Sequence, residues 1–514
     1  MGGGLWVSYL IVFLASACTL VLEIVAGRIL APFIGVSLYT WTSIIGVVLA
    51  GISLGNYLGG VVADRIGSRR TLGLILLGGG LTSLVVLPLA TVDLTLIFPR
   101  SYPLMLRIVL LTSLLFFPPS LVLGMVSPVV VKLALTDLKQ TGNVVGKIYA
   151  FSTLGSIVGT FATGFVLISS FGTRTIVFGV GIVLLGMALL FGDFFRARKA
   201  DLGVGVAAAL VLGLLLYQID TKNALASTCY NETDYYCIKV TDHIVSSDRL
   251  LKTLVLDHLI HSYNSVDDPT YLQYGYIKVD AEMTEYVAQK TPDYRAFFVG
   301  GGAYTLPRYM EVRHPAATIE VAEIDPGVTE TNFERMGLDP NTRIITYNTD
   351  AREIVEQKQA RAEKYDLVFG DAFNDLQIPY HLTTREFDQK IRNMLKDDGI
   401  YAALVIDKLQ GGQFMPAYAK TVATVFPYVY ILADGTYWNS TFANTYIVAA
   451  SATPLDFERL KTIRGQGING QSLINVMPAD QMQQWLQDTP TLILTDDYAP
   501  ADNLVAPLFA ERGF

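Results

Sequence analysis

Two architectures are expected in this chain: an amino-terminal multi-span α-helical membrane domain, and a carboxy-terminal α/β domain. The latter should carry a doubly wound, mostly parallel sheet with a small β domain before it. Three observations carry this expectation. Charged residues are only 16% of the 514 residues, where soluble proteins carry roughly 25%. They are scarce before Asp220, where long apolar runs dominate. After it, short apolar runs alternate with helix-patterned stretches and end in glycine or acidic residues.

Crossing a bilayer as a helix takes about 20 apolar residues. Runs at 8–30, 39–62, 71–93, 104–133, 144–170, 174–192 and 202–218 meet or approach that length, about seven spans within a domain of residues 1–220. The fourth contains Pro118, Pro119 and Pro128, which remove backbone donors and imply a kink or a re-entrant piece. Gly51, Gly55 and Gly59 recur every four residues, as do Gly155 and Gly159. That spacing lets helix backbones approach closely; tight packing is its plain reading and a transport path the sharper one. Glu23 is a charge inside an apolar run, with Arg28 five residues on. It reads either as a neutral link between helices or as the lining of a site.

Basic residues gather in alternate loops: Arg65, Arg69 and Arg70; Lys132, Lys139 and Lys147; Arg196, Arg198 and Lys199. The other loops hold fewer, chiefly Arg100, Arg107 and Arg174. Short basic loops stay in the cytoplasm. With seven crossings of a plasma or cell membrane, the soluble domain then emerges on the extracytoplasmic side. Cys229 and Cys237 are placed to pair there, as an oxidising compartment permits, and Asn231 and Asn439 open glycosylation-type tripeptides. A net charge of -8 without a basic tract argues against a nucleic-acid partner. The partners expected are the lipid bilayer and a small-molecule substrate, and a homodimer is compatible with this organisation.

Residues 229–290 read as a small β-rich domain with a linking helix: 235–240 and 250–257 have strand character, and 270–288 helical character with Tyr271, Tyr274, Ile277 and Met283 as its apolar stripe. Within 291–514 the strands fall at 296–299, 319–324, 344–346, 365–369 and 399–406, separated by helices near 307, at 328–335, 352–359 and 387–395. This is βαβ repetition, hence a mostly parallel sheet. Stretches 429–433 and 445–450 are candidate edge strands.

Ligands of such sheets bind outside the carboxyl ends of the strands. Gly300, Gly301 and Gly302 end the first strand, where backbone can meet ligand. Glu323 ends the second and suits a ribose diol. Asp350 follows the third, and Asp371 ends the fourth. No Gly-Lys-Ser or Gly-Lys-Thr follows the glycines, which disfavours a phosphate-loop nucleotide hydrolase. Bulky residues from Tyr304 onward also depart from the dinucleotide fingerprint, so a nucleoside lacking a pyrophosphate, such as a sulfonium nucleoside, fits better.

These residues resemble the spermidine synthase family, within the class that binds S-adenosylmethionine-type nucleosides. The motifs are Gly300 to Gly302, Glu323 to Pro326, Asp350 to Arg352, Tyr365 with Asp366, Asp371 to Phe373, and Leu382 to Phe387. The resemblance covers roughly 235–450 and is strongest to the membrane-fused subgroup, whose glycine loop also runs into Tyr-Thr-Leu-Pro-Arg. Ala63 to Gly67 with Arg69 and Arg70 resembles a cytoplasmic loop of major-facilitator transporters. The family resemblance implies decarboxylated S-adenosylmethionine or a related nucleoside as co-substrate, without a metal. It implies cofactor contacts from Gly300, Gly301, Gly302, Tyr304, Glu323, Asp325, Asp350 and Ala351. It further implies substrate contacts from Asp257, His258, Tyr271, Gln273 and His381, and catalytic roles for Asp371, Asp375 and His261.

Several positions depart from the family pattern. Ala303 stands where the family has aspartate and Tyr304 where it has glycine; His258 and His261 replace glycine and glutamine; Tyr271, Leu272 and Gln273 replace Tyr-His-Glu; and Asp375 comes one residue late. An acceptor other than putrescine is therefore in play. The reading that leads is a membrane-anchored transferase. Its alternatives are an extracytoplasmic enzyme using these carboxylates as acid and base on a sugar or other polar metabolite, and a transporter-linked binding protein.

Overall fold

The computed structural model describes residues 3–92, 98, 102–135, 140–194, 199–246, 249–372, 378–435, 442–463, 465–466 and 470–512. Arg100, Lys139, Arg196, Arg198, Phe373, Asp375 and Asn439 lie outside the described residues. The chain divides into two compact units, Met1–Cys237 and Ile238–Phe514.

Among the described residues of the first unit, six helices are long and apolar enough to cross a bilayer: Leu5–Ile34, Leu38–Ile66, Arg69–Leu89, Leu104–Ala134, Thr141–Leu167 and Thr173–Phe191. The stretch expected as a seventh lies in helix Lys199–Thr221, whose apolar part, Gly205–Thr221, is shorter. Helix starts follow local chemistry. Ser37 and Ser68 cap the second and third helices, accepting from the amides of Thr40 at 3.2 Å and Thr71 at 3.1 Å. The fourth segment breaks into Leu104–Gly124 and Val126–Ala134. Pro128 explains the break: without an N–H it cannot bond the carbonyl of Gly124, four residues back.

The recurring glycines pack helix against helix. A Cβ on Gly59 would lie 2.7 Å from the Met125 Cα, and one on Gly159 2.6 Å from the Ala17 carbonyl oxygen. Gly55 meets the Leu121 backbone and Gly155 the Phe13 backbone in the same way. Apolar helices in lipid gain no hydrophobic drive from pairing, so this close approach supplies the dispersion contact that holds them. Glu23 is half-buried, and Arg28 donates to the Thr233 carbonyl. Cys229 and Cys237 form a disulfide.

A small antiparallel sheet has the order β1-β2-β3-β4, formed by Asn231–Glu232 (β1), Cys237–Ser246 (β2), Arg249–Leu256 (β3) and Leu259–Asn264 (β4). Among the described residues the second sheet has eight strands: Arg295–Val299 (β5), Thr318–Ala322 (β6), Ile345–Tyr347 (β7), Tyr365–Gly370 (β8), Leu395–Asp407 (β9), Tyr428–Asp434 (β10), Asn444–Ser451 (β11) and Ile474–Val476 (β12). Their order is β12-β10-β11-β9-β8-β5-β6-β7. The five strands from β9 to β7 run parallel, and β11, β10 and β12 continue the sheet antiparallel. Strand β9 begins earlier than the apolar pattern suggested, because helix Arg385–Met394 runs directly into Leu395.

The central parallel strands β5, β6 and β8 are buried on both faces, as βαβ crossovers require. Phe298 and Phe369 stack at 4.7 Å between β5 and β8. The chain leaves β5 toward β6 and β7, then returns to β8 on the other side of β5. That reversal opens a crevice at the carboxyl ends of β5 and β8, where such folds take their ligands.

Candidate nucleoside and amine site

The site is built where β5 and β8 end. The Asp371 amide donates to the Val299 carbonyl at 2.9 Å, and the Gly300 amide to that of Ala322 at 2.9 Å. Gly300 adopts φ +98, and a Cβ there would press on the Asp371 carbonyl, so both conformation and space call for glycine. Gly302 follows at φ +48. Tyr304 is also left-handed, at φ 52, and begins helix Thr305–Arg313. Its ring is fully buried, and its hydroxyl lies 3.1 Å from Thr329 Oγ1 and 3.2 Å from Thr346 Oγ1.

Glu323 sits just past β6 and is buried. Its Oε2 accepts from the Gly301 amide at 2.9 Å and the Gly302 amide at 3.2 Å; its Oε1 accepts from the Asp325 amide at 3.0 Å. The carboxylate therefore shapes the glycine loop. Burial pushes its carboxyl above the ordinary value, while the three amides pull it back. Asp325 caps helix Pro326–Arg335, accepting from Gly327 N at 2.9 Å.

Asp350 caps helix Ala351–Ala360, with Oδ1 accepting from Arg352 N at 2.8 Å. Its Oδ2 lies 2.8 Å from His381 Nε2, and that contact holds the Asp350 carboxyl below its ordinary range. Ala351 is buried at the start of the helix. Arg352 reaches back to the His381 carbonyl at 2.8 Å and grips Asp496 through two bonds of 2.8 and 2.5 Å. Thr384 donates to the same carboxylate at 2.6 Å. Asp496 thus braces the segment carrying His381.

A cleft of about 500 Å³, including its open mouth, is lined by His261, Tyr276, Asp280, Gly300, Gly301, Gly302, Ala303 and Asp371. Tyr276 donates to Asp371 Oδ2 at 3.2 Å. Solvent reaches Asp371 through the mouth, but protein crowds it on its other sides, and that crowding pushes its carboxyl up to about 6. Asp280 lies deeper, 8% exposed, with Oδ1 lacking any hydrogen-bond partner among the described residues. Burial, and then the neighbouring Asp371 charge, drive its carboxyl well above the ordinary value. His261 is held down to about 4 by burial and by nearby His258, so its imidazole is neutral at pH 7.

Among the sequence-derived positions, the structure brings His261, the three glycines and Asp371 into one cleft. Glu323, Asp325, Asp350, Ala351 and His381 lie at the ends of β6 and β7 and in the segment covering them. Asp257 is buried in the two-residue turn between β3 and β4, its carbonyl accepting from Lys239 at 2.8 Å. Tyr271 donates to Gln273 at 2.8 Å and carries the Arg249 guanidinium over its ring; neither is among the cleft-lining residues. Tyr276 and Asp280 were missed. Their signal was an acid three residues after Ile277, on the buried stripe of helix Gly275–Ala288.

No known family model matches the chain. Three curated relatives do match in part. The polyamine aminopropyltransferase of Vibrio vulnificus is 29% identical over 109 residues, 21% of this chain and 36% of that protein. The probable polyamine aminopropyl transferase of Bifidobacterium longum is 28% identical over 132 residues, 26% of this chain and 28% of its own length. Polyamine aminopropyltransferase 2 of Aquifex aeolicus is 27% identical over 176 residues, 32% and 34% of the two chains. The matches thus span about a third of these relatives. Among solved structures, a probable spermidine synthase from Corynebacterium glutamicum aligns at TM-score 0.44 and 18% identity, covering 52% of this chain and 96% of its own. Spermidine synthase from Thermotoga maritima aligns at 0.34 and 16%, covering 50% and 90%.

The protein is an integral membrane protein whose apolar helices associate with the bilayer and whose other unit is an α/β domain. Over about a fifth to a third of its length it is distantly homologous to polyamine aminopropyltransferases.

Proposed function

We propose that this protein is a membrane-anchored transferase that moves an aminopropyl or related group from an S-adenosyl-type donor to an amine acceptor. The observation supporting this most is the placing of a glycine loop and Asp371 at adjoining strand ends, with Tyr276, Asp280 and His261 around one cleft. The residues fit a nucleoside co-substrate. Glu323 Oε2 is filled by two amides, but Oε1 takes only one and keeps a lone pair for a ribose hydroxyl. Asp350 and the glycine backbone would hold the rest.

The co-substrate would supply a carbon made electrophilic by its sulfonium. Asp371 orients the acceptor nitrogen and takes its proton, which an ammonium must lose before it can attack. Its raised carboxyl value makes it a better base than an ordinary aspartate. Tyr276 fixes the carboxylate by donating to Oδ2. Neutral His261 adds no competing positive charge to a cleft meant for an amine. Held geometry and placed charge supply the rate.

The test is turnover by purified full-length protein in detergent, given decarboxylated S-adenosylmethionine and a panel of primary amines. Appearance of methylthioadenosine with an alkylated amine is expected. Donor binding without product under any amine would reject transfer.

The disulfide between Cys229 and Cys237 favours a second reading. Such bonds persist in oxidising compartments, whereas S-adenosyl donors are made in the cytosol. If the α/β domain is extracytoplasmic, the same carboxylates would act as acid and base on a sugar or other polar metabolite. Labelling single engineered cysteines in the domain from outside intact cells separates the two: reaction supports the second reading and silence the first.

A further inference from the structure

The membrane unit holds an acid that the reading above leaves without a task. Among the described residues of the six spanning helices the acids are Glu23 and Asp64. Asp64 sits near the end of its helix and pairs with Lys132 at 2.9 Å. Glu23 lies inside the first helix, Leu5–Ile34, which has 30 residues. At about 1.5 Å per residue it stands roughly 5 Å from the helix midpoint, well within a hydrocarbon core about 30 Å thick. It makes no hydrogen bond or ion pair among the described residues. Arg28 turns to the Thr233 carbonyl instead. The helices packed against the first carry Tyr39, Tyr57, Asp64 and Arg65 on the second, Arg107 and Lys132 on the fourth, Lys147 and Tyr149 on the fifth and Arg174 on the sixth, and the first itself carries Tyr9 and Cys18. None of these groups is paired with Glu23. An unpaired charge at helix centre costs about 2.5–3.5 kcal/mol on insertion, so an acid kept at that depth without a structural partner points to a ligand.

The fifth helix, Thr141–Leu167, supplies oxygens on the matching side. Ser16, seven residues before Glu23 and so on the same side of the first helix, places its hydroxyl 2.7 Å from that of Ser152. Ser152, Ser156, Thr160 and Thr163 follow at intervals of four, four and three, which is one face of a helix. Gly155 meets the Phe13 backbone and Gly159 the Ala17 backbone. That parallel register, carried four residues further, brings Thr163 within a turn of Glu23. There the fifth helix widens into a π turn, Thr163–Leu167, an uncommon form that recurs at functional sites. The Thr163 hydroxyl is buried and donates to the Gly159 carbonyl at 2.7 Å, which leaves its oxygen lone pairs to accept or to ligate.

We propose that Glu23, with the hydroxyls of Thr160 and Thr163, forms a site for one monovalent cation, a proton or sodium, inside the membrane unit. A single carboxylate balances a single positive charge; a divalent ion would leave a net charge in hydrocarbon. Oxygen donors suit a hard cation. The site lies in the other unit from the cleft and stands whether or not the transferase reading does.

The test is labelling of purified full-length protein in detergent with dicyclohexylcarbodiimide, an apolar reagent for protonated carboxyls. The carboxyl O–H adds across one C=N bond and the acyl group migrates to nitrogen, so the adduct keeps every atom of both partners. Peptide mass spectrometry reads the adduct at Glu23 between pH 5 and pH 9, with sodium chloride or with choline chloride at equal ionic strength. Labelling that rises as pH falls and ignores sodium assigns the site to the proton. Labelling that sodium slows saturably, and choline does not, assigns it to sodium. Either result supports the site. Thr163→Val, and Thr160→Val as a second variant, should shift the midpoint in pH or sodium concentration by about threefold or more, the worth of one hydrogen bond; melting confirms that each is folded. A carboxyl merely facing lipid would not respond to them. No adduct at Glu23 over this range, labelling indifferent to both pH and sodium, or unchanged midpoints in both folded variants overturns the proposal.

Discussion

Replacing Glu323 by glutamine tests how far one carboxylate organises both the glycine loop and the ligand. The carboxylate offers acceptors on both oxygens, two amides on Oε2 and one on Oε1. A glutamine has a single acceptor oxygen. Its best orientation keeps Gly301 and Gly302 and turns its NH₂ toward the Asp325 amide, so one bond is lost and two donors face each other. A hydrogen bond to a charged group is worth about 1.5–3 kcal/mol. Removing a buried charge works the other way, and because burial outweighs the amides in setting the Glu323 carboxyl, the low end is expected, about 1.5 kcal/mol. For a domain of this size that is a melting shift of about 3–6 °C.

The pH dependence has a definite sign. The folded carboxyl value is raised above the unfolded 4.5, so the stability this group contributes is fully present below 4.5 and is lost as pH rises through the folded value. The deficit of the glutamine variant should therefore narrow with rising pH. Binding of methylthioadenosine should also fall about tenfold, one hydrogen bond's worth. Thermal melting and titration of full-length protein at pH 5 and pH 8 measure both. An unchanged melting temperature together with unchanged nucleoside affinity would refute the role given to Glu323.

Other substitutions probe features away from that loop. Gly55→Ala should destabilise the helical unit by about 1–3 kcal/mol through overpacking against the Leu121 backbone, whereas Gly46→Ala, with no atom within 4 Å of the new Cβ, should be neutral; melting in detergent distinguishes them. Cys229→Ser should cost about 2.5 kcal/mol by loop-closure entropy for so short a loop, and alkylation without reductant should leave Cys229 and Cys237 unmodified in the wild type. Arg352→Ala removes the bidentate grip on Asp496 and the tie to the His381 carbonyl. Its global cost should stay near 0.5–1 kcal/mol, roughly that of a solvent-exposed pair, while proteolytic cleavage within 378–384 should accelerate. Arg352 holds the Asp496 carboxyl down to about 2, so that contribution is present above the unfolded 3.8 and is lost only as pH falls toward 2.

The α/β architecture was legible because parallel strands buried on both faces leave continuous apolar runs, as in β5 and β8, and because the crevice rule turns strand ends into positions. The glycine loop, Glu323, Asp350 and Asp371 followed from that rule alone. Asp280 and Tyr276 did not, since a helix stripe reports burial and says nothing of which pocket a buried acid enters. Nothing in the residues around Asp496 points to Arg352; only the folded chain brings the two together across 144 positions. The helix Lys199–Thr221 was legible as an apolar run but sits near the length at which composition alone decides a crossing.

The outermost strands of the large sheet, β7 and β12, each have only three residues. A strand that brief offers too few free N–H and C=O groups to template pairing with another chain. Among the described residues, growth of this sheet from copy to copy is thereby blunted at both margins. The shortness of these borders guards the sheet against ribbon-like aggregation.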